Sequence, residues 1–288
     1  MTWLLDPSFW FTIALSATPL LVAAVGELVA ERSGVINIGV EGMVLAGAMG
    51  AWVGNVLAGP AAGVAGGAAA AIVLGLVFAA ATLVFLADQI VVGTGINLLA
   101  LGAAGMIYKD LAPTAEASRI SGIDPLWLTA ATPALAMAVW FWLARTRHGL
   151  ALTASGENPA AADAAGVWVN GHRLAAILFG ACCAGLAGAY LSTMWVVGFN
   201  ENPTRGVGFL ALAIVIFGRW NPWGVLAAGL FFEAASRAAG RLIAVGGLGE
   251  RFSTALELLP YALSLLALAG LAGRTRAPEA LGRPYARE

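Results

Sequence analysis

Eight stretches of this chain are apolar over nearly the length that a helix needs to cross a membrane, which is about 20 residues. Only 11% of its 288 residues are charged and 60% are hydrophobic, whereas soluble domains carry roughly a quarter charged residues. We therefore predict an all-α polytopic transmembrane bundle of about eight spans that forms a single domain over residues 1–288. These eight stretches cover residues 9–27, 37–58, 62–86, 90–107, 128–145, 172–197, 206–238 and 254–272. The stretch 206–238 is read as a pair, one member of it short, broken near Gly218–Pro222.

Basic residues in the short loops predict how the bundle is oriented, because cytoplasmic loops are enriched in Lys and Arg. Counting loops alternately from the C-terminal tail places nine basic residues on one side and six on the other. The nine are Arg32, Arg145, Arg147, Arg173, Arg219, Arg274, Arg276, Arg283 and Arg287, and the six are Lys109, Arg119, Arg205, Arg237, Arg241 and Arg251. We expect the side with nine, and the tail at about 273–288, to be cytoplasmic.

Small residues recur at every fourth position in three of the spans, which places them on one helix face. Small side chains let helix backbones approach closely in lipid, so these stripes predict tight helix packing. The candidates for packing residues are Gly42, Ala46, Gly50 and Gly54 in the second span, and Gly180 and Gly188 in the sixth. Such a bundle suits a transporter that moves between states, and equally an intramembrane enzyme.

The chain lacks the motifs of an ATP-hydrolysing or metal-dependent enzyme. A phosphate-binding loop ends in Gly-Lys-Ser/Thr, but the only lysine, Lys109, lies between Tyr108 and Asp110. No H-E-x-x-H or G-x-S-x-G motif is present. We expect no catalytic residues, no metal site and no cofactor in this chain, and no basic cluster for nucleic acid.

Deep ionisable residues would favour an ion-coupled carrier, because such groups bind the coupling ion. Four glutamates are candidates: Glu27, Glu41, Glu233 and Glu257. Glu27 and Glu257 lie near predicted span ends, and Glu233 has Arg237 one turn later as an ion-pair partner. Only Glu41 is deep, so the sequence gives little support for ion coupling. An ion-coupled secondary transporter is kept as an alternative from another class.

Two segments carry most of the functional information. Residues 31–43 combine glycines with Asn37 and Glu41 one turn apart, which predicts a broken second helix whose polar face lines the pathway or forms a helix cap. Residues 146–172 predict a short helix outside the membrane, with Asn158 as its N-cap, Pro159 in its first turn and Gly166 at its stop. That helix is either a lever that docks into an ATPase or a well-capped loop.

Five blocks in order resemble the permeases of ABC importers for simple sugars, branched-chain amino acids and nucleosides. They are Ser33–Gly47 (SGVINIGVEGMVLAG), Asp88–Gly102 (DQIVVGTGINLLALG), Gly156–Gly166 (GENPAAADAAG), Arg205–Gly224 (RGVGFLALAIVIFGRWNPWG) and Ala277–Tyr285 (APEALGRPY). Together they are most similar to the shorter permease of nucleoside importers that use a basic-membrane-protein-type binding protein. Thr153 stands where relatives often have arginine, so the contact with the ATPase is altered or moved to Arg145 and Arg147.

The resemblance implies a multi-pass permease subunit of the bacterial inner membrane that imports a nucleoside or nucleobase, or alternatively a simple sugar of ribose or galactose type. Its expected partners are a second, different permease, an extracytoplasmic binding protein, and an ATPase with two fused nucleotide-binding halves that holds ATP and Mg²⁺. Candidate pathway residues are Asn37, Glu41 and Asn97. Candidate ATPase-coupling residues are Gly156, Glu157, Asn158, Pro159, Ala162 and Gly166.

Overall fold

A computed structural model describes residues 6–116, 122–195, 198–199, 204–246 and 276–286. These residues are almost entirely helical and include no β-strand. The helices are α1 (Pro7–Arg32), α2 (Val40–Ala58), α3 (Pro60–Ala79), α4 (Gln89–Glu116), α5 (Leu126–Arg145), α6 (Arg147–Glu157), α7 (Pro159–Ala164), α8 (Val169–Tyr190), α9 (Val207–Phe217) and α10 (Pro222–Gly246). Short π-helical turns, Ala80–Val84 and Leu191–Trp195, extend α3 and α8.

Six helices are long and apolar enough to cross a membrane, and they correspond to the first six predicted spans. Helix α9 is apolar but has only 11 residues, so it extends about 16 Å at 1.5 Å per residue. Helices α9 and α10 correspond to the predicted pair, and they separate between Phe217 and Pro222, where the sequence predicted a break. The predicted span 254–272 lies outside the described residues, and the total of about eight stays a prediction.

Helices α1, α2, α3 and α8 form the core, with α8 packed against the other three. Glycines allow these close crossings. A Cβ atom at Gly50 would lie 2.6 Å from the carbonyl oxygen of Gly66 in α3, and a Cβ at Gly188 would overlap the carbonyl oxygen of Val44 in α2. Lipid supplies no hydrophobic force between helices, so close backbone contact of this kind is a main source of cohesion.

The outer helices α4 and α5 leave many large apolar side chains exposed. Val91, Leu98 and Met106 of α4 are each more than 60% exposed, and Val73 of α3 is 58% exposed. A membrane protein can cover such a surface with lipid or with another membrane subunit.

Two sequence predictions about local structure need correction. Helix α2 begins at Val40 and runs unbroken to Ala58, so Asn37 lies before the helix and does not share a helical face with Glu41. The glycines of residues 34–39 and the buried polar contacts described below hold this part of the chain in an irregular conformation. In the predicted loop 146–172, α6 forms a second helix that the sequence reading missed. The side chain of Thr146 starts it by accepting a 3.0 Å hydrogen bond from the Gly149 N–H.

Candidate functional site

Helix α7 has the capping predicted from its sequence. The Oδ1 atom of Asn158 accepts a hydrogen bond of 3.0 Å from the N–H of Ala161, and Pro159 is the first helical residue. Gly166 adopts a φ of +85°, and its N–H donates to the carbonyl of Asp163 at 2.8 Å. A positive φ is costly for residues with a Cβ, so a glycine suits this stop. The short helix is confirmed, whereas its contact with an ATPase stays a prediction.

The six candidate coupling residues divide into an outward and an inward group. Glu157, Asn158 and Gly166 are exposed, and Pro159 is partly exposed. Ala162 and Gly156 are buried. A Cβ at Gly156 would overlap the carbonyl oxygen of Arg32, so this glycine allows α6 to pack directly against the end of α1.

The C-terminal tail, residues 276–286, packs across α6, α7 and the end of α1. The N–H of Ala280 donates to the Gly156 carbonyl at 2.9 Å, and the N–H of Gly282 donates to the Gly34 carbonyl at 3.0 Å. The Tyr285 hydroxyl donates to Oδ2 of Asp163 in α7 at 3.0 Å. The tail therefore connects the candidate coupling helix to the segment that follows α1.

Arg173, near the start of α8, hydrogen-bonds to α6, to the segment that follows α1 and to the tail. It is fully buried. Its guanidinium donates to the carbonyls of Ser33 at 3.1 Å, Arg283 at 3.0 Å and Ser155 at 3.4 Å. Buried charges are costly unless they are hydrogen-bonded, and these carbonyls provide the required acceptors. We call Gly34, Gly156, Arg173, Ala280 and Gly282 the tail junction.

The connection between α9 and α10 is attached to the end of α1 next to the tail junction. The indole N–H of Trp220 donates to Oε2 of Glu31, and Nε of Arg32 donates to the Trp220 carbonyl at 2.9 Å. Trp220 has a φ of +51°, in the region that residues with a Cβ rarely adopt. These two contacts hold that conformation in place.

Residues 33–39 run back alongside α1 after it ends. The N–H of Asn37 donates to Oε1 of Glu27 at 3.0 Å, and both residues are fully buried. Glu27 precedes Arg32 by five residues, which is about 7–8 Å along the helix axis. The N–H of Ile36 donates to Oε1 of Gln89 at 2.8 Å. Buried side chains thus provide hydrogen-bond acceptors for the N–H groups of this irregular backbone. Lipid could not provide them.

Asn97 of α4 holds the start of α2. Its Oδ1 accepts from the N–H of Gly42 at 2.7 Å, and its Nδ2 donates to the carbonyl of Ile38 at 3.0 Å. The first N–H groups of a helix have no partner inside that helix. Asn97 therefore acts as a cap supplied by a different helix.

Glu41 does the same for α9. Its Oε1 accepts from the Thr204 hydroxyl at 2.6 Å and from the N–H of Gly206 at 3.1 Å, and its Oε2 accepts from the N–H of Gly208 at 2.7 Å. A carboxylate is favoured at a helix N-terminus, where the macrodipole is positive. The glutamate singled out for ion coupling thus has both oxygens occupied.

The structure therefore brings Asn37, Glu41 and Asn97 together around the start of α2. Glu41 and Asn97 hydrogen-bond backbone groups of neighbouring elements. Asn37 is instead held through its own N–H by Glu27, and its Oδ1 is buried without a partner among the described residues. Their lining of a transport pathway stays a prediction.

Within the described residues, no group of three or more His, Cys, Asp and Glu side chains is arranged to hold a metal ion. The two histidines, His148 and His172, lie with ring centroids 6.1 Å apart near the tail junction.

The family described as the permease component of branched-chain amino acid transport systems matches residues 9–271. The chain belongs to this permease family. It is 34% identical to the guanosine ABC transporter permease protein NupQ of Bacillus subtilis (strain 168), over 93% of each chain. It is 29% identical to the nucleoside ABC transporter permease protein NupC of Lactococcus lactis subsp. cremoris, again over 93% of each chain.

A third relative is named for a different substrate. The permease is 34% identical to the putative glucose ABC transporter permease protein TsgC13 of Haloferax volcanii, over 75% of this chain and 72% of the relative. No solved structure matches the permease.

Sequence reasoning missed two features of the permease that the structure shows. Arg173 was counted only as a basic loop residue, although it lies buried at the tail junction. The sequence predicted a cytoplasmic tail but did not predict that the tail packs on Gly34 and Gly156. The resemblance of Ala277–Tyr285 to the family could have predicted this contact. A stretch of family-like sequence beyond the last apolar span implies that the stretch packs on the rest of the protein.

Proposed function

We propose that this permease is the membrane subunit of an ATP-driven importer of nucleosides. The observation that carries the proposal is the similarity of this chain, over 93% of its length, to two permeases that are named for guanosine and for nucleosides. As a permease, the chain supplies the path through the membrane and is not itself an enzyme. ATP and Mg²⁺ would bind to the separate ATPase.

The geometry at the tail junction supports coupling to an ATPase at this end of the bundle. Helices α6 and α7 form a capped pair braced by the tail and by Arg173. Next to them Leu150 is 69% exposed and Trp168 is 71% exposed. Exposed apolar groups among polar neighbours are typical of protein contact sites. We therefore propose that Glu157, Asn158, Pro159 and Gly166 contact the ATPase, with Gly156 and Ala162 supporting them.

The orientation is part of the same proposal. Arg32, Arg173 and Arg283 meet at the tail junction, which supports counting them on one side of the membrane. Because basic residues favour the cytoplasm, that end and the C-terminus would be cytoplasmic in a bacterial inner membrane. A binding protein would deliver substrate at the opposite end. A second, different permease and an ATPase with two fused nucleotide-binding halves would complete the transporter.

Reconstitution tests this function directly. The permease, expressed with its partner permease and ATPase, is placed in proteoliposomes that contain ATP, and binding protein with radiolabelled guanosine or inosine is added outside. We expect nucleoside accumulation that requires both ATP and binding protein. Accumulation driven by an ion gradient without nucleotide would contradict the proposal and favour a secondary transporter.

Import of a simple sugar is the second candidate function, because one relative is named as a putative glucose permease. The same proteoliposomes separate the two candidates when nucleosides and free sugars are compared at equal concentration. Uptake of glucose, ribose or galactose in place of nucleoside would favour the sugar function.

A further inference from the structure

A polar cavity of about 820 Å³ lies between α1 and α10, at the end of the bundle away from the tail junction. Cavities that bind small molecules measure roughly 300–1,000 Å³. Its walls come from the first half of α1, the π-helical turn after α8, the start of α9 and the second half of α10. Residues Thr204–Val207, the segment that Glu41 holds, lie at one side of it.

The α1 wall is a stripe of hydroxyl groups. Ser8, Thr12 and Ser16 follow one another at intervals of four residues, so they lie on one helix face. The hydroxyls of Thr12 and Ser16 donate to carbonyls of their own helix. The Thr12 oxygen remains able to accept hydrogen bonds from a ligand, and the Ser16 oxygen, which accepts one from Arg237, keeps a second lone pair. Ser16 lies nine residues into α1, about 13 Å along its axis.

The α10 wall faces this stripe with ionisable side chains. Arg237 donates through Nε to Oε1 of Glu233 at 2.9 Å and to the Ser16 hydroxyl at 3.2 Å, and its guanidinium carbon lies 5.5 Å from the Trp195 ring centre. Both hydrogen bonds use Nε, so no described residue engages the two terminal nitrogens of Arg237. Arginine presents such a pair of donors to the O6 and N7 acceptors of a guanine-type base.

The charges around the cavity nearly balance. The cavity is lined by the carboxylates Asp6 and Glu233 and by three guanidinium groups, Arg205, Arg237 and Arg241. At its outer end the N–H of Ser8 donates to Asp6, and this hydrogen bond lowers the pKa of the Asp6 carboxyl. A lining of mixed sign and many hydroxyls suits an uncharged, hydroxyl-rich ligand better than an ion.

Polar side chains at membrane depth are costly and typically mark a substrate path. A second cavity, about 400 Å³ between α1, α5 and α8, is lined among the described residues by apolar side chains such as Val29, Leu135 and Phe179. It offers little to recognise a nucleoside. The cavity between α1 and α10 therefore has the chemistry that a nucleoside needs, whereas the apolar one does not.

We propose that the cavity between α1 and α10 is a chamber that receives a 6-oxopurine nucleoside in the outer half of the membrane. The hydroxyl stripe of α1 contacts the ribose, and Arg237 contacts the base. This inference rests on the proposed nucleoside import and on the proposed orientation. It goes beyond them by assigning substrate contacts to particular residues of this chain.

Cysteine accessibility in the complete reconstituted transporter tests the chamber. The native cysteines are removed as Cys182→Ala and Cys183→Ala, and Thr12→Cys is compared with Ala14→Cys, which lies on the same helix but does not line the cavity. A membrane-impermeant thiol reagent is added from the outside. We expect Thr12→Cys to react and Ala14→Cys to stay unmodified.

Protection by substrate is the second readout. Inosine at about ten times its dissociation constant should slow labelling of Thr12→Cys about tenfold, because an occupied chamber excludes the reagent, whereas D-glucose should not. Arg237→Lys keeps the charge but loses the paired donors. It should weaken inosine binding about tenfold, as expected for one hydrogen bond to a charged group. The same inosine concentration should then slow labelling only about twofold, while labelling without inosine persists.

The outcomes separate the two proposals. If the transporter imports nucleosides but Thr12→Cys is unreactive from outside, or reacts without protection by inosine, the chamber assignment is wrong and the function stands. If Arg237→Lys leaves the protection by inosine unchanged, Arg237 does not contact the base. If the transporter imports no nucleoside, the proposed function fails and the chamber fails with it.

Discussion

At the scale of single residues, the buried polar side chains of this permease mainly hold backbone segments in place through hydrogen bonds. Arg173, Glu41 and Asn97 each hydrogen-bond backbone groups of an element other than their own. In a bundle surrounded by lipid, backbone groups outside a helix must find partners inside the protein. These side chains therefore make irregular connections possible at membrane depth.

Arg173→Lys tests this role. A lysine ammonium cannot reach three carbonyls in the arrangement of a planar guanidinium, so at least one buried carbonyl loses its partner. We expect a loss of stability of about 1–3 kcal/mol, measured as a lower unfolding temperature in detergent. Arg147→Lys, at an exposed position of α6, is the matched control and should change stability by less than about 0.5 kcal/mol. Equal effects of the two substitutions would contradict the role assigned to Arg173.

At the scale of helices, two patterns in the sequence predicted local structure well. The order Asn158, Pro159 and Gly166 gave the start and stop of α7, because capping depends on neighbouring residues alone. The small-residue stripes predicted close packing, but which helices meet was not readable. The structure places Gly50 against α3, Gly42 against α4 and Gly180 beside Gly26 of α1.

Gly188→Ala is the sharpest test of that packing. The added Cβ would overlap the Val44 carbonyl in α2, so either α2 or α8 must move. We expect a marked drop in folded yield and a loss of at least about 2 kcal/mol, as for overpacked core sites. At Gly95 of α4 a Cβ would meet nothing within 4 Å. Gly95→Ala should therefore be neutral or stabilising, by up to about 1 kcal/mol. A tolerated Gly188→Ala would show that α2 and α8 are not in this contact.

Asn158→Ala tests the link between the α7 cap and coupling. Loss of an N-cap side chain costs about 1 kcal/mol, which is enough to fray a helix of six residues. We expect the transporter to assemble but to hydrolyse more ATP per nucleoside imported. Asn158→Asp retains the acceptor oxygen and should behave as wild type. If Asn158→Ala keeps the wild-type ratio, α7 is only a well-capped loop.

At the scale of the whole molecule, the tail and the end of α1 contact elements that are far away in the sequence. The tail, about 110 residues after Arg173 in sequence, packs on Gly34 and Gly156. Glu31 bonds Trp220, 189 residues away. A motion of α6 and α7 would therefore reach the residues that follow α1, Ser33 and Gly34, through Arg173 and the tail.

Removal of residues 277–288 tests whether the tail transmits that motion. The bundle should still insert, because the core helices α1, α2, α3 and α8 make none of their mutual contacts through the tail. Uptake per ATP hydrolysed should fall, since the Gly34 and Gly156 carbonyls and Arg173 lose their tail partners. Tyr285→Phe removes only the contact with Asp163 and should give a smaller effect in the same direction. Unchanged coupling after the deletion would mean that the tail has no part in transmission.

The sequence by itself determined the class of this protein: apolar stretches force helices, because each helix satisfies its own backbone in lipid, and ordered motif blocks pointed to a permease. It also determined α7 and the break between α9 and α10, which depend on a few neighbouring residues. Only the tertiary structure decided that Asn37 precedes α2, that Glu41 and Asn97 cap helices other than their own, and that Arg173 joins the tail to α6. Those contacts pair residues far apart along the chain, and no local pattern encodes which distant backbone group a buried side chain will meet.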